Sequence, residues 1–193
     1  FYMNRENQQV NISSQQEEGN PSTFFFFTAN ATSGYNFGTE FEHSYYITDN
    51  FEVFYNVGYL NTWVDPYEFK TDSITTKILG DRELSYAPKT NYSYGINYKY
   101  LSGITLGIEV TGRDKFYFSD SHNQISDKYE LVNVNIGYDI NPFHILIWGK
   151  NILDTRYTVR GFYFGLEPPN YEDKLYVHWG DPAQYGVSLK YHF

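Results

Sequence analysis

The stretch TNYSYGINYKYLSGITLGIEVTGR, Thr90–Arg113, decides the fold. In its first half Tyr92, Tyr94, Ile96, Tyr98 and Tyr100 alternate with Asn91, Ser93, Gly95, Asn97 and Lys99. In its second half Ile104, Leu106, Ile108 and Val110 alternate with Thr105, Gly107, Glu109, Thr111 and Arg113. A strand turns successive side chains to opposite faces, so each half reads as a β-strand with one apolar and one polar face. Only Ser102-Gly103 stands between Leu101 and Ile104, a pair of turn-forming residues that makes the two strands an antiparallel hairpin.

The same pattern recurs on both sides. Within Tyr129–Ile140, Val132, Val134, Ile136 and Tyr138 oppose Asn133, Asn135, Gly137 and Asp139. From Gln184 the chain alternates to its last residue, with Tyr185, Val187, Leu189, Tyr191 and Phe193 on one face. Upstream, Tyr35, Phe37, Phe41, Tyr45 and Ile47 form one such run, and Phe51, Val53, Tyr55, Val57 and Tyr59 another. Phe143–Lys150 is less regular, since Leu146 and Trp148 fall on its polar face. With an opening strand from Phe1 to about Val10, the chain reads as about eight antiparallel strands and no helix.

Connection lengths add a second signal. Thr48–Asn50, Ser102-Gly103 and Asn141-Pro142 are short. The connections around Asn11–Thr23, Asp65–Pro88, Phe118–Lys128 and Thr155–Ala183 are long, and short and long alternate strictly. Transmembrane barrels are wired this way, with short periplasmic turns and long extracellular loops. On that wiring the last strand runs inward and Phe193 lies at the periplasmic edge. A β-sandwich accounts for the alternation but for neither the loop asymmetry nor the tyrosine surplus.

Composition agrees. The 193 residues include 21 Tyr and 16 Phe, and rings with a polar tip suit membrane interfaces. Phe24–Phe27, the longest apolar run, is far short of a membrane-spanning helix, but a barrel needs only alternation. The net charge of −9 excludes a nucleic-acid binder. Having no cysteine, the chain has no disulfide, thiolate nucleophile or zinc-thiolate site. Its five histidines are scattered, so no metal or catalytic site is expected. Ser121-His122, a conceivable rim hydrolase pair, reads better as a polar loop dipeptide. The opening FYMNRENQQV has neither initiator Met nor signal peptide and reads as a mature or truncated product.

WGKNILDTRY, Trp148–Tyr157, resembles the Asn-Leu-Phe-Asp-x-x-Tyr signature near the end of TonB-dependent outer-membrane receptors, with Ile152-Leu153 in place of Leu-Phe. GDPAQYGVSLKYHF, Gly180–Phe193, resembles their closing Pro-Arg-x-Tyr-Gly stretch and terminal Phe strand, with Ala183 where the family carries Arg. Asp114–Asp139 is similar to the preceding strand pair of siderophore-receptor members. The resemblance implies that residues 1–193 are the C-terminal part of a 22-stranded barrel whose N-terminal strands, plug and energy-coupling box lie elsewhere. It implies a Gram-negative outer membrane, uptake of a large scarce ligand such as a ferric siderophore, no enzymatic activity and no cofactor. The implied partners are lipid, the TonB energy-coupling protein through the N-terminal parts, and the barrel-assembly machinery, whose signal Tyr191 and Phe193 resemble.

The segment Thr155–Ala183 is the expected ligand site. It collects Arg156, Arg160, Tyr163, His178 and Trp179, besides Phe164, Tyr171 and Tyr176. Arginine beside aromatic rings suits an anionic, ring-containing ligand through charge-assisted hydrogen bonds and stacking, and ferric siderophores fit that description. Interface anchoring and loop packing account for the same composition. Glu40, Glu42 and Glu109 read as a solvated lumen wall. The alternative function is a self-standing small barrel, acting as a passive pore or structural protein.

Overall fold

The computed structural model describes residues 1–15, 24–30, 33–70, 76–100, 103–165 and 167–193. Leu101 and Ser102, the second of them in the expected turn, lie outside them. One antiparallel sheet of eight strands dominates, in the order β1-β4-β5-β8-β9-β10-β11-β14. These strands are β1 (Tyr2–Arg5), β4 (Gly34–Thr48), β5 (Phe51–Val64), β8 (Thr90–Lys99), β9 (Ile104–Arg113), β10 (Tyr129–Ile140), β11 (Phe143–Lys150) and β14 (Gln184–Tyr191). Neighbours in the sheet follow one another along the chain once the short ribbons are set aside, as in an up-and-down wall. The sheet is open, with β1 and β14 at its edges.

The registers carry the sequence alternation across the whole wall. Phe51, Tyr98, Leu106, Ile136, Ile147 and Val187 pair successively from β5 to β14 and form one apolar row. Many of these outward residues are exposed, Ile136, Ile147 and Val187 at 48%, 51% and 69%. A row of this kind is stable only against a non-aqueous neighbour, because monomers in water rarely leave so continuous an apolar surface open. On the other face Asn97, Gly107, Asn135, Trp148 and Gly186 are paired in the same way. Trp148 does sit on the polar face, its indole lying where a Cβ on Gly186 would stand. Phe54 lies likewise over Gly95. Large inward rings are thus laid flat against the wall.

The long connections are more structured than the sequence implies. Three of them carry two-stranded ribbons: β2 (Gln9–Gln15) with β3 (Phe24–Asn30), β6 (Tyr67–Lys70) with β7 (Thr76–Leu79), and β12 (Thr158–Phe164) with β13 (Lys174–Trp179). The opening strand therefore ends at Arg5, and Gln9 already belongs to a ribbon. At the other end β14 stops at Tyr191, so Phe193 is not a strand residue. It packs edge-on against Tyr191 at 5.0 Å instead, and Tyr191 packs against Phe143 at 5.3 Å. His192 still donates its backbone N–H to the Pro142 carbonyl at 3.0 Å. The chain thus stays tied to the β10–β11 turn after pairing ends.

The few buried apolar side chains among the described residues are Val64, Phe116 and Phe118. They lie at the long-loop end, away from the middle of the wall. A single-layer sheet buries little by itself, and the packed core sits where the loops fold over one another.

Candidate functional site

The loop end is built from three neighbouring pieces. The first is the turn after β11. Asn151 is almost fully buried and adopts φ +48, a left-handed conformation that Asn tolerates better than most residues. Its Nδ2 donates to the Thr155 and Asp181 carbonyls at 3.0 and 3.1 Å, and its Oδ1 accepts the Thr155 N–H at 2.9 Å. Asp154, also left-handed at φ +50, accepts the Ala183 N–H through Oδ1 at 2.9 Å. The motif at Trp148–Tyr157 therefore fastens the end of β11 to the segment leading into β14. Gly180 lets the Tyr157 ring lie on the backbone, and Tyr157 packs at a tilt against Tyr129 with centroids 4.4 Å apart.

The second piece joins the segment 80–89 to the segment 114–128. The Arg82 guanidinium donates to the carbonyls of Ser119 (2.5 Å) and His122 (2.7 Å) and to Asn123 Oδ1 (2.6 Å). It also lies 4.6 Å over the Tyr117 ring. In return Asp120 Oδ1 accepts the Ser85 N–H at 3.2 Å, and Tyr86 donates its backbone N–H to the Tyr117 carbonyl at 2.9 Å. Beneath them Phe116 meets Phe118 edge-on, and Ser126 Oγ accepts the buried Phe116 N–H at 3.0 Å. Burial pushes the Arg82 pKa down, and nearby Asp120 opposes that shift. Nothing in the sequence around Arg82 singles it out, because its bonds reach about 40 residues along the chain.

The third piece is the β12–β13 ribbon, which rests on the second. The Phe118 ring occupies the place a Cβ on Gly161 would take, and the His122 ring lies 5.8 Å from that of Tyr163. The five expected ligand residues fall into three groups here. Arg160 and His178 are cross-strand partners and both are exposed. Arg156 lies 5.4 Å over the Trp179 ring at the ribbon's base. Tyr163 is three residues beyond Arg160 in a strand and so belongs to the opposite face, against His122. The five therefore do not converge on one point. At the ribbon's tip Lys174 and Glu167 form an exposed pair at 2.5 Å.

The remaining candidates are also placed. Ser121 Oγ pairs with Ser119 Oγ at 2.9 Å while the His122 ring faces Tyr163, so the dipeptide is not arranged as nucleophile and base. Glu40 and Glu42 line an open, shallow recess of the polar face together with Asn56, Asn91 and Ser93. Among the described residues no three His, Asp or Glu side chains converge as a metal site would require.

An eight-stranded antiparallel wall, apolar on one face and polar on the other, with long structured loops at one end only, is a section of an outer-membrane-type barrel. Two solved barrels have this section. The ferric yersiniabactin uptake receptor FyuA from Yersinia pestis is similar over 100% of this chain, with a TM-score of 0.73 and 13% identity. The siderophore receptor PiuA from Acinetobacter baumannii is similar over 92%, with a TM-score of 0.65 and 17% identity. The chain spans 26% of the first and 23% of the second, about a quarter of each. No protein-family model matches the sequence.

Proposed function

We propose that this chain is the C-terminal barrel wall of a TonB-dependent outer-membrane receptor that takes up a ferric siderophore. The observation that carries the reading is the two-faced wall with its packed loop end, similar over its whole length to a ferric yersiniabactin uptake receptor. The apolar row from Phe51 to Val187 meets lipid, and the polar face lines the lumen. Ligand is held from outside by the β12–β13 ribbon, where Arg160 and His178 present adjacent donors and Arg156 with Trp179 a cation beside an indole. Such donors match the carboxylate, catecholate or hydroxamate oxygens of an iron chelate. Coupling to TonB runs through N-terminal parts, and Tyr191 with Phe193 serves recognition by the barrel-assembly machinery.

Binding of a panel of ferric siderophores to the receptor in outer-membrane vesicles tests this, with cobalamin and oligosaccharides as competitors. Arg160→Ala is expected to weaken binding about ten- to a hundredfold, the equivalent of roughly 1.5–3 kcal/mol for a charge-assisted contact, and Trp179→Ala to weaken it through lost stacking, while barrel levels stay normal. Selective binding of a sugar or cobalamin rejects the iron assignment but keeps a receptor. Ion conductance with no binding of any large ligand favours the small passive barrel instead.

A further inference from the structure

Among the described residues, the ribbon proposed to hold ligand meets the segment 114–128 at Phe118 on Gly161 and at His122 on Tyr163. His122 also takes part in the Arg82 junction, because its own carbonyl is one of the three oxygens that Arg82 binds. Its Nδ1 is buried and has no hydrogen-bond partner. Such a ring is accommodated as a neutral aromatic. A proton on it would add a cation beside a guanidinium already committed to that loop.

The charged and titratable groups around this ring can be named element by element. Arg82 comes from the segment 80–89, where Glu83 is engaged by Lys89 at 2.5 Å. Tyr163 comes from β12. Asp120, from the ring's own segment, is the nearby anion and acts on Arg82, on Tyr67 of β6 and on Arg5 of β1. Burial, and after it Arg82, holds His122 below the usual histidine range, against a smaller opposing influence from Gln124.

We propose that this junction is a pH-sensitive latch: neutral His122 keeps the β12–β13 ribbon seated on the segment 114–128, and protonation of His122 beside Arg82 releases it. The sign follows from linkage. A histidine that is harder to protonate in the seated state contributes fully above its free value of about 6.5, and its contribution is lost as pH falls below that. The nearby anion, Asp120, acts on both Arg82 and Arg5. The consequence for uptake, weaker retention of ligand in acid, rests on the ligand reading above; the latch itself does not.

Hydrogen exchange without ligand, on the full receptor in detergent micelles, separates the two. After correction for intrinsic rates, the β12 amides of wild type should exchange roughly three- to tenfold faster at about pH 5.5 than at about pH 7.5. His122→Gln should abolish the difference, whereas His178→Gln, on the ribbon's opposite face, should keep it. His122→Phe, which retains a ring against Tyr163, serves if the Gln variant assembles poorly. Protection that is independent of pH in wild type overturns the latch. So does a pH response that persists in both His122 variants, which would assign the titration to another group. Failure of ligand binding with an intact pH response would instead overturn the ligand reading alone.

Discussion

Asn151 offers the sharpest test of how this wall is held together. Its side chain makes three hydrogen bonds, two with Thr155 inside the turn after β11 and one to the Asp181 carbonyl in the segment leading into β14, two as donor and one as acceptor. At about 1 kcal/mol net apiece, their loss costs about 3 kcal/mol, and the carbonyls and N–H left without partners in a buried turn raise the figure. A second cost is separable. At φ +48 an alanine is strained by roughly 1 kcal/mol, whereas glycine is not. Asn151→Gly is therefore expected to lose about 2–4 kcal/mol, and Asn151→Ala about 1 kcal/mol more.

Asn151→Asp separates geometry from chemistry. Its Oδ1 can still accept the Thr155 N–H, but its second oxygen replaces Nδ2 and faces the Thr155 and Asp181 carbonyls. An acceptor brought against two acceptors in a nearly closed site is repulsive, so Asp should be no better than Gly despite its close likeness to Asn. Urea unfolding of the purified protein in detergent, with hydrogen exchange at residues 180–186, reads both quantities. An Asn151→Gly variant within about 0.5 kcal/mol of wild type would refute the reasoning, since the side chain would then contribute nothing to the turn.

Other outcomes follow from the same structure. Arg82→Met removes three hydrogen bonds to the segment 114–128 and should loosen that segment and the ribbon above it, raising exchange there while leaving β8–β10 protected; unchanged exchange would mean that Phe116 and Phe118 suffice. Single cysteines at Asn50 and Asn141 should be shielded from an impermeant thiol reagent on intact cells while cysteines at Ser121 and Asn170 react, and equal labelling would contradict the wiring. Deleting Phe193 should lower outer-membrane levels far more than Gln184→Ala, with normal levels of the truncated receptor showing that its contact with Tyr191 has no role in assembly. Gly186→Val should push the Trp148 indole off the wall, because its Cβ alone would stand 2.3 Å from Cζ2, and a change in tryptophan emission checks this.

The wall was legible in the sequence because its physics is local and repeated. Each strand offers one apolar and one polar face, so Tyr92–Tyr98 and Leu106–Val110 carry their assignment in every second residue. The ribbons have no such obligation. β6 and β7 are four residues each and pair with each other; β6 alternates, as Tyr67 and Phe69 against Glu68 and Lys70, but over too few residues to stand out, and β7 does not alternate. Reading Thr155–Ala183 as a loop had a direct cost. Treated as a loop, Arg160 and Tyr163 seem free to converge; once Thr158–Phe164 is a strand, an odd spacing sets them on opposite faces. Arg82 was hidden for a different reason. Its partners are mostly backbone carbonyls, which any sequence supplies, so no residue pattern announces them.

The resemblance at Trp148–Tyr157 was legible as a pattern, yet the pattern alone does not say what its residues do. In the folded chain Asn151 and Asp154 close a turn and bind backbone groups, so they serve geometry ahead of ligand recognition. The same observation decides what the substitution at residue 183 means. A charged side chain is absent where the receptors that the motif resembles carry Arg, but the bond that ties this position to the motif runs from the backbone N–H of Ala183 to Asp154 Oδ1. Any residue except proline provides that N–H. Ala183 therefore leaves the fastening of β11 to β14 intact, and what it gives up is confined to whatever an arginine side chain would have reached beyond the turn.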